Sequence, residues 1–224
     1  ITLRKLSPFQ YSLQPTAMYP TTTSQKTLVY CGVNRGQTFR HLAPHFNHAI
    51  GFEPIPSLAA ALEDEFREQP NISIIHGALS AEDGSVPLNI YDYHMASSIG
   101  TLSEAYTEKT GHEFKLLFTT TVPSYHLGNF LKKHAIEELD TLITDVQGLD
   151  LTILKTIEHL IRRRAIRLIQ CEVERPGFEN SYEGTPTNQE KYFHDLIGND
   201  YELLHRYGSP SWAHHDLTWI RTGE

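Results

Sequence analysis

From residue 27 onward, short apolar runs alternate with longer stretches in which apolar side chains recur every three or four positions. The runs at 28–31, 49–52, 72–76, 141–146 and 166–173 have the length and composition of buried strands. Between them, 37–46, 57–68 and 127–134 read as helices. The second begins beside Pro56 and carries Ala59, Leu62 and Phe66 on one face. Another helix, opened by Gln147, Gly148 and Asp150, puts Leu151, Leu154, Ile157 and Ile161 on one side. Strands joined by helices predict an α/β domain with a mostly parallel sheet covered on both faces. After 114–122, read as a strand, and 192–197, read as a helix, the chain closes on strands at 201–207 and 217–221 around a turn at Gly208-Ser209-Pro210. Asp83-Gly84 predicts a tight turn opening a short hairpin at 86–91. Residues 96–103 are small and polar, and 176–188 form a Gly, Pro and Asn-rich loop suited to an acceptor-binding lid. Residues 1–26, rich in Thr, Ser, Pro and Gln, read as an N-terminal arm, leaving 27–224 as one domain.

The first strand runs into Gly32 and Gly36, which allow a sharp turn and close approach of a ligand to the backbone. The second strand ends on Glu53, about 20 residues past the first glycine, where a parallel neighbour brings a carboxylate to a ribose diol. Val33 and Asn34 fill the space a pyrophosphate needs, and no phosphate-loop lysine follows. A nucleoside without a pyrophosphate fits better, and S-adenosylmethionine is the commonest such ligand. Asp145 reaches the carboxyl edge of its strand, where open α/β sheets bind ligands. Glu172 and Glu174 reach the same edge on one face. Asp150 fits a helix N-terminus.

Tyr30-Cys-Gly-Val-Asn-Arg-Gly36, Gly51-Phe-Glu-Pro54, Gly77-Ala-Leu-Ser80 and Ile143-Thr-Asp-Val-Gln-Gly-Leu-Asp150 resemble, in order and spacing, the motifs of the FkbM-type methyltransferases. The likeness covers roughly residues 27–222. It implies a Rossmann-like methyltransferase fold with a C-terminal antiparallel hairpin, S-adenosylmethionine as cofactor, and O-methylation of a hydroxyl on a sugar, glycan or natural product. On that resemblance Cys31, Gly32, Asn34 and Gly36 shape the pocket for the methionine half, and Glu53 with Pro54 holds the ribose. Ala78 and Leu79 flank the adenine, and Asp145 and Glu172 face the acceptor as catalytic groups, Asp145 also bordering the cofactor. The family motifs read Asp-Val-Gly-Ala-Asn-x-Gly and Asp-x-Glu-Gly-x-Glu. This chain has Tyr30 for the first Asp, Gln147 for the middle Glu and Asp150 for the last Glu. Those departures keep open a non-catalytic member that binds the cofactor or a partner. A nicotinamide-dependent oxidoreductase is disfavoured by the missing middle glycine and the terminal hairpin.

A composition of 39% hydrophobic and 21% charged residues is that of an ordinary globular chain, and no apolar run approaches the ~20 residues of a membrane span. The net charge of -8 argues against a general nucleic-acid binder. With no signal-peptide pattern, the expectation is a cytoplasmic protein acting on a small-molecule or glycan acceptor, its oligomeric state open. Cys31 and Cys171 lie in strand-like runs and are expected as buried, reduced thiols. Thirteen histidines form no ligand set at metal-binding spacing. His214-His215-Asp216 comes nearest, but alternation would send the two rings to opposite faces. His94, His112 and His126 are candidate bases.

Overall fold

The computed structural model describes residues 26–178, 181–209 and 212–223. The expected N-terminal arm, apart from Lys26, lies outside the described residues. The chain opens with β1 (Thr27–Cys31), α1 (Gln37–Leu42), β2 (His48–Glu53), α2 (Pro56–Phe66) and β3 (Ile72–His76). It continues through β4 (Ala78–Leu79), β5 (Gly84–Tyr91), β6 (Thr101–Leu102), α3 (Glu104–Thr110), β7 (Leu116–Tyr125) and α4 (Leu127–Lys133). The second half runs β8 (Leu139–Thr144), α5 (Asp150–Thr156), α6 (Glu158–Arg162), β9 (Ile166–Glu174), β10 (Tyr182–Glu183), α7 (Glu190–Ile197), β11 (Tyr201–Tyr207) and β12 (His214–Arg221).

Seven strands form the central sheet in the order β11-β12-β9-β8-β1-β2-β3. The pairs from β3 to β9 are parallel, and β12 lies antiparallel between β9 and β11. The terminal hairpin is therefore present, with the last strand inserted inside the sheet. Every residue of β1 is buried because the sheet is covered on both sides. Leu28 and Tyr30 pack with Phe39, Leu42, Leu62 and Phe66 of α1 and α2. Val29 and Cys31 face the larger core of α4 to α7, with Leu131, Leu154, Ile161 and Phe193. Between β8 and β9 the buried Arg167 and Asp140 make a two-pronged ion pair, both contacts 3.0 Å.

Several expectations change in detail. The first helix ends at Leu42 and tightens into a 3-10 turn over Ala43–His45, since Pro44 has no N–H to continue the ladder. The helix after Gln147 is broken at Ile157 into α5 and α6, although Leu151, Leu154, Ile157 and Ile161 are all buried as the pattern requires. The hairpin expected at 86–91 is not local: β5 pairs antiparallel with β7, and β4 borders the other side of β7 in a separate three-stranded sheet. The stretch between β5 and β7, which opens with the small, polar residues 96–103, contains β6, which pairs with β10, and α3, whose N-cap Ser103 accepts the Tyr106 N–H at 3.2 Å.

The order of strands reverses between β1 and β8: the chain goes from β1 outward to β3, then returns to β8 and outward to β9. Loops leaving the carboxyl ends of these two neighbours diverge, so a crevice opens between them.

Candidate functional site

Gly32 sits at the base of this crevice with φ +86, and a Cβ there would lie 1.9 Å from the carbonyl oxygen of Asp145. The Asp145 N–H donates to Cys31 O at 3.0 Å, and Gly32 and Val33 N–H both donate to Phe52 O at 3.0 Å. Three strand ends are thus pinned together only because residue 32 lacks a side chain. Glu53, at the end of β2 and 2% exposed, accepts Asn34 N–H at 2.5 Å through Oε2 and Ile55 N–H at 2.8 Å through Oε1. Burial pushes its carboxyl up to about 7 against the opposing pull of those two donors. A carboxylate offers about four lone-pair sites, so two remain for a ligand.

These residues line a cleft with Asn34, Glu53 and Asp145 on its polar side and Pro54, Ile55, Ala78, Leu79, Leu88 and Ile99 among its apolar walls. A buried acceptor pair, an apolar slot and a close backbone turn suit a nucleoside. Partly buried Asp145 is pushed up to about 6 by desolvation, moderated by a 2.6 Å hydrogen bond from Gln147 Nε2.

A second cleft adjoins the first, and Met95 and Gln147 line both. Gln147 is the hinge of the arrangement. Its φ of +55 turns the chain after β8, and Ser98 Oγ donates to its carbonyl at 2.8 Å. Its amide nitrogen donates to Asp145 and, at 3.1 Å, to Glu172 Oε2, while its Oε1 accepts the Tyr182 hydroxyl at 2.8 Å. An amide can donate to two carboxylates at once, which a carboxylate at this position cannot do. Desolvation first, and then the neighbouring Asp145, Asp150 and Asp216, hold Glu172 well above the usual carboxyl range. His214 Nδ1 is 3.9 Å from Glu172 Oε1, but burial pushes the imidazole down to about 4 and so leaves it neutral.

Of the residues expected from sequence, Gly32, Asn34, Glu53, Pro54, Ala78, Leu79 and Asp145 come together in the first cleft and Glu172 in the second. Cys31 and Gly36 line neither. The Cys31 side chain belongs to the core, its thiol pushed well up by burial, and only its carbonyl reaches the loop. Gly36 shapes the turn from behind, where a Cβ would be 2.6 Å from Leu62 on α2. Asp150 is wholly buried, pushed up to about 7, and accepts from Val146 N–H and Asn188 Nδ2, both at 3.4 Å. His94 lines the first cleft and His112 the second, whereas His126 caps α4 through Asn129 N–H at 3.1 Å. The loop expected as a lid is anchored in its described part: buried Glu174 accepts Ser181 N–H at 2.7 Å and Asn188 N–H at 3.3 Å. Sequence reasoning gave no role to Asp216, Tyr106 or Met95; Asp216 enters the site through strand pairing that no local pattern carries.

The family model described as the methyltransferase FkbM domain matches residues 31–208. No curated protein matches the chain. Among solved structures, fibrillarin from Aeropyrum pernix with natively bound S-adenosyl-L-methionine is 14% identical at TM-score 0.45, covering 88% of this chain and 66% of that one. The chain thus spans just under two thirds of that protein's length. The N-methyltransferase NodS from Bradyrhizobium japonicum WM9 is 9% identical at TM-score 0.46, covering 88% and 85%. Magnesium protoporphyrin IX methyltransferase from Synechocystis PCC 6803 with bound SAM is 9% identical at TM-score 0.44, covering 87% and 69%.

Proposed function

The chain belongs to the FkbM methyltransferase family, and from that premise we propose that it transfers a methyl group from S-adenosylmethionine to a hydroxyl of a sugar, glycan or natural product. The observation that carries this reading is the meeting of two clefts at Gln147 and Met95, with Asp145 on one side of the junction and Glu172 on the other.

The first cleft fits the donor. Glu53 has acceptor sites left for a ribose diol, Ala78 and Leu79 lie along the wall expected for adenine, and Asp145 complements positive charge. When bound, S-adenosylmethionine supplies an electrophilic methyl group. The protein's part is to hold the acceptor oxygen in line with that methyl and to keep water out, and much of the acceleration comes from such positioning. Gln147 fixes one oxygen of Asp145 and one of Glu172, leaving Asp145 Oδ2 and Glu172 Oε1 for the acceptor. Asp145 Oδ2 takes the hydroxyl proton, and a carboxyl pushed up to about 6 is a better base near neutral pH than an ordinary one. Glu172 orients the acceptor from the other side.

Asp145→Asn tests this assignment. We expect kcat to fall about 100-fold with S-adenosylhomocysteine affinity changed by less than about tenfold. Unchanged turnover would remove Asp145 as the base. A second reading, cofactor binding without transfer, is favoured by the loss of two family carboxylates at Tyr30 and Gln147. Turnover of any acceptor excludes it.

A further inference from the structure

The second cleft has a charge pattern that the transfer reaction does not require. Glu172 on β9 and Asp216 on β12 are direct cross-strand partners, so their side chains share one face of the sheet at neighbouring positions. Like charges placed opposite each other in this way destabilise a sheet unless a proton or a bound cation neutralises them. Desolvation with the neighbouring carboxylates pushes Asp216 up to about 7 and Glu172 well above the usual range. Gln147 supplies one hydrogen bond to Glu172, and no described residue donates to or pairs with the Asp216 side chain, which lines the cleft. Among the described lining residues Lys109 is the sole lysine or arginine, and its ammonium is turned to Gly177 O beside the Phe178 ring, 5.9 Å from the centroid. His214, neutral at physiological pH, offers no compensating charge.

The walls are aromatic. Tyr93 and Phe114 stack at 5.2 Å and His112 continues the column at 5.9 Å from Phe114, while Tyr106 stacks on His214 at 5.9 Å. Such faces pack against the C–H face of a pyranose ring and favour a nearby cation. A phosphate, sulfate or uronate placed on this floor would meet two carboxyl groups and no cation, whereas a protonated amine would favour the ionised form of both and satisfy them.

We propose that the acceptor is an amino sugar whose ammonium sits between Glu172 and Asp216, with its ring against the aromatic wall and a hydroxyl directed to the junction at Gln147. The ammonium, held protonated, has no lone pair and serves as an anchor while a ring hydroxyl receives the methyl group. This rests on the methyltransferase reading above and goes further in naming the acceptor class.

The experiment is calorimetric titration of the full chain, saturated with S-adenosylhomocysteine, with glucosamine, N-acetylglucosamine, glucose and glucuronate. Glucosamine is expected to bind at least about tenfold more tightly than the two neutral sugars, and glucuronate the most weakly. Asp216→Asn should reduce the advantage of glucosamine over glucose to less than about threefold, and Glu172→Gln should do the same. Equal affinity for the sugars, preference for glucuronate, no binding of glucosamine, or a glucosamine preference that survives both substitutions would overturn the proposal. The preceding titration with S-adenosylhomocysteine in the same samples reports the donor site by itself, so failure of the donor reading is distinguished from failure of the acceptor class.

Discussion

Replacing Gly32 with alanine attacks the point where β1, β2 and β8 are tied together. The backbone there has φ +86, and an L-residue in left-handed conformation costs about 1–2 kcal/mol. The new Cβ would also stand 1.9 Å from the Asp145 carbonyl oxygen, a backbone atom whose displacement strains the adjacent Asp145 N–H to Cys31 O bond. Losing that bond adds about 1 kcal/mol and the forced displacement at least as much again, about 3–5 kcal/mol in all. In a chain of 224 residues this lowers the melting temperature by about 10 °C. Gly128→Ala is the matched control. Its Cβ would be 2.3 Å from Thr156 O, between α4 and α5, and Gly128 lines neither cleft. Thermal melts followed by calorimetry at a temperature where both variants are folded separate the two effects. Gly32→Ala should lose S-adenosylhomocysteine affinity by about 100-fold or more, equivalent to about 3 kcal/mol, and Gly128→Ala by less than about threefold. Wild-type affinity in folded Gly32→Ala would refute the placement of the donor against this turn.

Asp140→Asn leaves the buried guanidinium of Arg167 without its anion, so chemical denaturation should show a loss of about 3–5 kcal/mol with donor affinity unchanged; a neutral result would deny the ion pair its structural role. Stability should also depend on pH. Burial pushes Glu53, Asp150 and Asp216 up to about 7 and Asp145 to about 6, so the native state holds protons that the unfolded chain has released. That contribution is complete below the ordinary carboxyl range and is lost as pH rises through about 7. His214 and His215, pushed down to about 4, act in the opposite sense, their contribution disappearing as pH falls from about 6.5 to about 4. The carboxyls outnumber the imidazoles, so the melting temperature should fall between about pH 5.5 and about pH 8, and a rise across that window would contradict the burial of these groups. S-adenosylmethionine, a sulfonium cation, should gain affinity over the same window more than uncharged-sulfur S-adenosylhomocysteine; parallel pH dependence of the two would place the sulfonium away from Asp145.

What the sequence disclosed about the fold follows from burial. β1, β2, β8 and β9 lie inside a covered sheet and β3 at its edge packs Ile72 and Ile74 into the core beside α2, so all five read as apolar runs ended by glycine, acid or turn residues, and the crevice between β1 and β8 follows from their order. α3 left no such trace because none of its residues is buried, and β6 and β10 are two-residue strands whose pairing joins distant parts of the chain. The partner of β5 was equally invisible, since Asp83-Gly84 looks like a local turn whatever strand β5 later meets. At the site, Gly32 and Glu53 were legible because a strand end restricts what a glycine or a carboxylate can do there. Gly36 shows the limit of that logic: the same residue type answers to close packing against Leu62. Asp216 was legible as an acid next to two histidines, and its place opposite Glu172 depends on β12 inserting beside β9.

The placement of the donor at Glu53 is tested most directly by calorimetric titration of the unmodified chain and of Glu53→Ala with S-adenosylmethionine and S-adenosylhomocysteine, with NAD as control. Both adenosyl ligands should bind the unmodified chain saturably and NAD not at all, and binding should be lost in folded Glu53→Ala. Binding of NAD in preference, or unchanged adenosyl affinity without the Glu53 carboxylate, would contradict it.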